Sequence, residues 1–101
     1  MHYIYKLQLI DRLVGGQDWT EEDEKIVERH FHKLQDLKKE GILILAGRTT
    51  HDGPDTFGIV ILNADEVKAR EIMLNDPAVK EGIMTAELYP YRVALISEDN
   101  V

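Results

Sequence analysis

The stretch Ile42–Leu62, ILILAGRTTHDGPDTFGIVIL, holds two apolar runs separated by a polar, turn-forming segment. Ile42 to Ala46 is nearly continuous in apolar residues and reads as a strand. Thr56 to Leu62, rich in Phe and Ile, reads as a second one. Gly47 to Asp55 carries Gly, His, Asp and Pro and reads as a long hairpin connection. Both runs are apolar on both sides: Leu43 and Leu45 are set against Ile42 and Ile44, and Val60 and Leu62 against Phe57, Ile59 and Ile61. A sheet built on these strands has two apolar faces, and each needs a cover.

The chain on either side of this hairpin supplies a strand and a helix. Upstream, Thr20 is a good N-cap, and Glu21, Glu22 and Asp23 suit the positive end of a helix. Ile26, Val27, His30, Phe31, Leu34 and Leu37 follow at helical spacing, with Lys38 and Lys39 where cations are favoured and Gly41 placed as a stop. The spacing predicts a helix over Glu21 to Glu40. Before it, Asp11 to Asp18 with Gly15-Gly16 reads as a loop. Tyr3 to Ile10 alternates as a strand, with Tyr3, Tyr5, Leu7 and Leu9 on an apolar face and Ile4, Lys6, Gln8 and Ile10 on a mixed one. Downstream, Asn63 or Asp65 caps a second helix carrying Val67, Ala69, Ile72 and Met73. Asp76-Pro77 breaks it, because a residue before proline is pushed out of the helical region, and Pro77 to Glu81 could add one turn. Ile83 to Tyr89 alternates as a fourth strand. Pro90 is expected to end or bend it, with Tyr91 to Ile96 continuing as an edge segment and Ser97 to Val101 as a frayed tail.

The order β-α-β-β-α-β is that of a ferredoxin-like α+β domain, a four-stranded antiparallel sheet with two helices on one face. The helices cover one face only. A second copy of the same sheet is the simplest cover for the other, so a homodimer through the sheet face is expected. With 101 residues there is room for one domain and not two. It is assigned to residues 1–96, with 97–101 as the tail.

Composition removes several classes of function. The formal net charge is −7 and the lysines and arginines are scattered, so a nucleic-acid backbone would be repelled. The absence of cysteine removes disulfides, thiolate metal sites and Cys nucleophiles together, and leans toward a reducing compartment. The first residues carry no basic stretch followed by an apolar one and a cleavage site, and no apolar run reaches the length of a membrane span. A cytoplasmic protein with no membrane or nucleic-acid partner is the expectation.

His30 is the most informative polar residue. Ile26, Leu37, Leu34 and Val27 flank it on both sides of the helix, so it lies near the middle of the face that must meet the sheet. A titratable group there could act as a base, or be a buried histidine with one satisfying hydrogen bond. Asp76 has two readings as well: the N-cap of a turn whose first residue is Pro77, or the carboxylate that orients and charges His30. His32 is about 200° round the helix from His30 and faces solvent. His51 and Asp52 lie in the hairpin connection and His2 near the terminus; no pair has ligand spacing, so no metal site is expected. Ser97, the only serine, is in the tail, and Gly15-Gly16 lacks the ending of a phosphate loop, so neither a serine nucleophile nor a nucleotide cofactor is expected. Trp19, Tyr3, Tyr5, Tyr89 and Tyr91 could wall a pocket, though aromatics at such places also serve packing. Arg48, after Gly47, could bind a substrate carboxylate. Arg48 and Tyr5 are the candidate substrate-binding residues.

Three segments resemble the YciI-like (YCII-related) family. They are His30-Phe-His-Lys-Leu34-Gln-Asp-Leu37-Lys-Lys-Glu-Gly41, the strand Ile42 to Ala46 with Gly47, and Asp76-Pro77-Ala-Val-Lys-Glu-Gly82; the final strand fits too. The resemblance covers nearly the whole chain. It implies a ferredoxin-like fold in a dimeric α+β barrel and an active site of one histidine and one aspartate. By position these are His30, eleven residues before Gly41, and Asp76 of the Asp-Pro pair; His32 does not match. The family often has Gly-Pro after the second strand where this chain has Gly47-Arg48, a difference expected to alter the pocket mouth. The family includes enzymes acting on muconolactone-type compounds, among them a dehydrochlorinase.

Without a metal, a nucleophile or a nucleotide loop, proton transfer with elimination or isomerisation is the chemistry left to a His30–Asp76 pair, acting on a small anionic or lactone-like molecule. The same pocket in a non-catalytic binding or accessory domain, and a purely structural dimerisation module, are the other readings. An open cleft beside the pair separates the first two from the third.

Overall fold

The computed structural model describes residues 1–97. Its elements run β1 (His2–Leu9), a 3-10 turn (Asp11–Leu13), α1 (Glu21–Lys39), β2 (Leu43–Arg48), β3 (Gly58–Asn63), α2 (Glu66–Asn75), α3 (Pro77–Lys80) and β4 (Met84–Tyr91). The four strands form one antiparallel sheet in the order β2-β3-β1-β4. This is the ferredoxin-like α+β architecture expected from the element order. Among the described residues no helix is long and apolar enough to cross a membrane.

Local chemistry sets the boundaries. Thr20 and Asp23 form a capping box at the start of α1: the Thr20 side chain accepts from the Asp23 N–H, and the Asp23 carboxylate accepts from the Thr20 N–H. At the other end Gly41 takes φ 77°, and the N–H groups of Gly41 and Ile42 close back on Lys38 and Leu37 carbonyls. That left-handed turn aims the chain directly into β2 and suits a residue without a side chain. Asp65 caps α2 by accepting from the Lys68 N–H.

The inward face of β1 is Tyr3, Tyr5 and Leu7, all buried. They pack with Val60, Leu62, Leu37, Ala69, Ile72 and Met73 in the main core. Leu13, Ile26, Ala78 and Ile83 make a second cluster under the loop that precedes α1.

Three details depart from the sequence reading. Leu43 and Leu45 do not share a face: Leu43 pairs with Leu62 and Leu45 with Ile61, so Ile44 is an extra residue, a bulge. Leu43 therefore points to the helices and Leu45 to the open face. Next, β2 runs on to Arg48, because Gly47 and Arg48 pair with Ile59 and Gly58. Last, β4 passes through Pro90 to Tyr91, and residues 92–96 form no strand. β4 lies at the sheet edge, where a residue without an N–H is tolerated. Of the expected tail, Ser97 is coil and 98–101 lie outside the described residues.

The sheet register identifies the face left without helices. Ile4 lies beside Ile61 and Tyr89, and Leu45 beside Ile61. Leu45 and Tyr89 are 42% and 46% exposed, respectively, while Ile61 is 6% exposed, so this face is open at its two outer strands in the single chain.

Candidate active site

Three elements converge on one carboxylate. Asp76 follows α2 directly and is the N-cap of α3, with Pro77 in its first turn. Its Oδ1 accepts from the Ala78 N–H at 3.0 Å, as a cap does. The same Oδ1 lies 2.6 Å from Nδ1 of His30, which α1 presents toward the sheet. Its Oδ2 accepts from the Tyr5 hydroxyl at 2.8 Å, reaching across from β1. One carboxylate oxygen thus serves both the cap of α3 and the contact with His30.

Burial grades across this cluster. Tyr5 is fully buried and Asp76 is 1% exposed, while the His30 side chain keeps 14% of its surface open. Burial, reinforced by the charge of Asp76 and the hydrogen bond to it, holds the Tyr5 phenol far above its ordinary pKa. Tyr5 is therefore a donor across the whole working range. Among the described residues no buried side-chain nitrogen or oxygen lacks a partner.

His30 is where the cluster meets open space. A cleft of about 590 Å³ lies between α1 and the β2–β3 side of the sheet. Its walls are mostly apolar, including Leu7, Val27, Leu34, Val60 and Met84, with His30 and Arg48 as the ionisable groups. Nδ1 is engaged with Asp76, which leaves Nε2 as the His30 nitrogen able to meet a ligand. Arg48 is exposed, faces the helix side opposite Gly58, and makes no ion pair among the described residues. An apolar cleft with one imidazole and one unpaired guanidinium suits a small, partly anionic organic molecule.

The profile of the YCII-related domain matches residues 3–92. The chain belongs to the YCII-related family. Among solved structures, this YCII-related chain is similar to the 5-chloro-2-hydroxyhydroquinone dehydrochlorinase of Burkholderia phenoliruptrix in complex with 2,5-dihydroxybenzoquinone. The TM-score is 0.67 at 18% sequence identity, over 91% of this chain and 94% of that one. At that identity the likeness is one of fold. No curated protein matches the chain in sequence.

The other candidates of this YCII-related domain separate clearly. Tyr5 does not line the cleft; as a pocket wall it is corrected to a residue behind the pair, because its side chain is closed into the core with its hydroxyl on Asp76, whereas Leu7 and Leu9, further along the same face of β1, reach the cleft. Tyr3 is likewise core, while Tyr89 and Tyr91 stand exposed on β4. Trp19 lines the cleft and donates its indole N–H to the Leu13 carbonyl at 3.1 Å. His32 is exposed, and His51 pairs with Asp55 at the surface. No group of three or more metal-ligating side chains gathers among the described residues. Two site residues escaped the sequence reading. Phe31, half exposed, lines the cleft beside His30. Gly58 lies on its floor, where a Cβ would come within 3.3 Å of the Gly47 carbonyl oxygen. A glycine inside a strand pattern is the signal that could have marked it.

Proposed function

We propose that this YCII-related domain is a small enzyme in which His30, held by Asp76, moves a proton on a small molecule bound in the cleft. The observation that carries the reading is the 2.6 Å contact between Nδ1 and a buried carboxylate, on a ring that also lines an open cleft. With Nδ1–H directed at Asp76, the Nε2 lone pair takes a proton from the ligand, and the carboxylate stabilises the imidazolium that forms. Loss of a leaving group from the neighbouring carbon completes an elimination; return of the proton to another atom completes an isomerisation. Arg48 holds an anionic or enolic oxygen of the substrate. That the fold neighbour is a dehydrochlorinase supports elimination on a hydroxylated ring or lactone as the first chemistry to try.

The test uses 2,5-dihydroxybenzoquinone as a binding probe, with chlorinated hydroquinones and unsaturated lactones as candidate substrates. Wild type is expected to bind the probe and turn over at least one candidate. His30→Gln is expected to lose turnover while staying folded. If probe affinity is the same in both proteins and neither turns over any candidate, the domain is a binding module rather than an enzyme.

The proposal includes a homodimer through the helix-free sheet face. Leu45 and Tyr89 support it, as apolar side chains exposed on the outer strands of that face, on a chain too small to leave them wet without cost. Sedimentation at micromolar concentration should give about twice 11.6 kDa, and Leu45→Glu should give monomer. A wild-type monomer would remove the dimer.

A further inference from the structure

Tyr5 is the one residue of the cluster to which the proposed function assigns no part. The cap of α3 needs a single acceptor, and Oδ1 of Asp76 supplies it. The contact with His30 uses the same oxygen. Oδ2 could have been left to water or to a backbone donor. Instead it is served by a phenol from the central strand, 71 residues away in sequence, in a part of the core closed to solvent. Packing alone does not call for that hydroxyl. The cross-strand neighbours of Tyr5 are Val60 and Leu88, both apolar, and a phenylalanine ring would fill the same space. A buried hydroxyl without a partner is costly, so the tyrosine and the carboxylate require each other.

We infer that Tyr5 is a positioning residue that acts on His30 through Asp76. It fixes the carboxylate plane so that Oδ1 meets Nδ1, and it draws off part of the negative charge that Oδ1 presents to the imidazole. The inference rests on the proposed role of the His30–Asp76 pair. A carboxylate bound at one oxygen only can rotate about its last torsion, which is broad. Bound at Oδ2 from β1 and at Oδ1 from α3, it cannot. The phenol is held far above its ordinary pKa by burial and by the adjacent charge, so it always donates and never competes for the His30 proton.

The surroundings allow this effect to be isolated. β1 contributes the Tyr5 hydroxyl, α3 the Ala78 N–H, and β2 the Arg48 guanidinium on the cleft wall. α2 contributes the uncharged Ala69, Ile72 and Met73, β3 contributes Val60, and β4 contributes Met84 and Leu88. Within the core Tyr5→Phe therefore changes one hydrogen bond to one carboxylate. Without its donor on Oδ2, Asp76 concentrates more charge on Oδ1 and favours the imidazolium more strongly.

The experiment is an NMR titration of the four histidines in wild type, Tyr5→Phe, Asp76→Asn and the double variant. In Tyr5→Phe the His30 curve should move to higher pH and its Nδ1 proton resonance downfield. His2, His32 and His51 should stay in place. In the Asp76→Asn background Tyr5→Phe should move nothing further. A His30 curve in Tyr5→Phe that superimposes on wild type or moves to lower pH overturns the inference if Asp76→Asn still displaces His30; the pair then stands without Tyr5. A shift that persists in the double variant also overturns it, because Tyr5 then acts by packing. If Asp76→Asn leaves His30 unmoved, the pair itself falls and the inference falls with it. Should Tyr5→Phe fail to fold, 3-fluorotyrosine at position 5 alone, a stronger donor of nearly the same size, should move the His30 curve to lower pH. No movement there is equally decisive against it.

Discussion

Asp23 and Asp76 are the two buried charged residues among those described, at 3% and 1% exposure, and they are built to different ends. Both sit at helix N-termini. Asp23 closes the capping box of α1 and takes both ends of the Arg12 guanidinium, at 2.8 and 2.9 Å. Asp76 caps α3 and takes the His30 imidazole and the Tyr5 hydroxyl. The partner makes the difference. Arg12 stays charged at every working pH, and the pair does not line the cleft, so it pins the 11–18 loop to α1 and can do no more. A histidine can gain and lose a proton, and His30 opens onto a cleft of about 590 Å³. A buried carboxylate in this fold is therefore not a functional signal by itself; what sets Asp76 apart, and what the proposed function rests on, is a titratable partner with an outlet.

The largest effect expected is on rate. Once a substrate is in hand, His30→Gln should reduce turnover by about 10²–10⁴-fold, the usual reach of a general acid–base group. Arg12→Gln should leave the rate near wild type and lower the melting temperature. If steady-state kinetics find the two variants equally impaired, the division between the carboxylates is wrong.

The next effect is on stability. Asp76→Ala removes a cap, at about 0.5–2 kcal/mol. It also strands the Tyr5 hydroxyl in the core, at about 1–3 kcal/mol. A loss of roughly 3 kcal/mol by urea denaturation is expected, with Asp76→Asn recovering part of it because Asn also caps. A loss no larger than that of an ordinary exposed cap would mean that Tyr5 finds another acceptor, and would bring Asp76 closer to Asp23 in kind.

How much of this could be read in advance follows the same division. Helix caps, the 3.6-residue spacing of α1 and the alternation of β1 are local, and Thr20, Gly41, Asp65 and Pro77 each stand at the boundary their chemistry predicts. His30 was legible as a polar residue on an apolar stripe, and Asp76 through the Asp-Pro pair. What failed depends on register between strands. Nothing in Ile42–Ala46 says that Ile44 is a bulge, because five apolar residues in a row erase the period of two that marks a face. Pro90 by its local habit ends or bends a strand, and its place on an edge strand allows β4 to continue to Tyr91. The bond from Tyr5 to Asp76 spans 71 residues and follows from how α2 and α3 settle against β1 and β4, which no local pattern encodes.

The smallest effect is in acid, and it concerns Asp23. The Arg12 guanidinium, the Thr20 N–H and the Thr20 hydroxyl hold its carboxyl well below the usual carboxylate range, against the opposing effect of burial. The unfolded chain takes up a proton at the ordinary value, near about 3.9. Above that pH both states are ionised and the contact contributes its full stabilisation. Below it the unfolded state binds the proton first, so the contribution declines as pH falls toward the folded-state value. Asp23→Asn should therefore be less stable than wild type at neutral pH, and the gap between the two proteins should narrow as the buffer is taken from pH 6 to pH 3. Melting curves over that range measure it. A gap that stays constant would assign Asp23 the role of a neutral hydrogen-bond acceptor, with Arg12 contributing position and not charge.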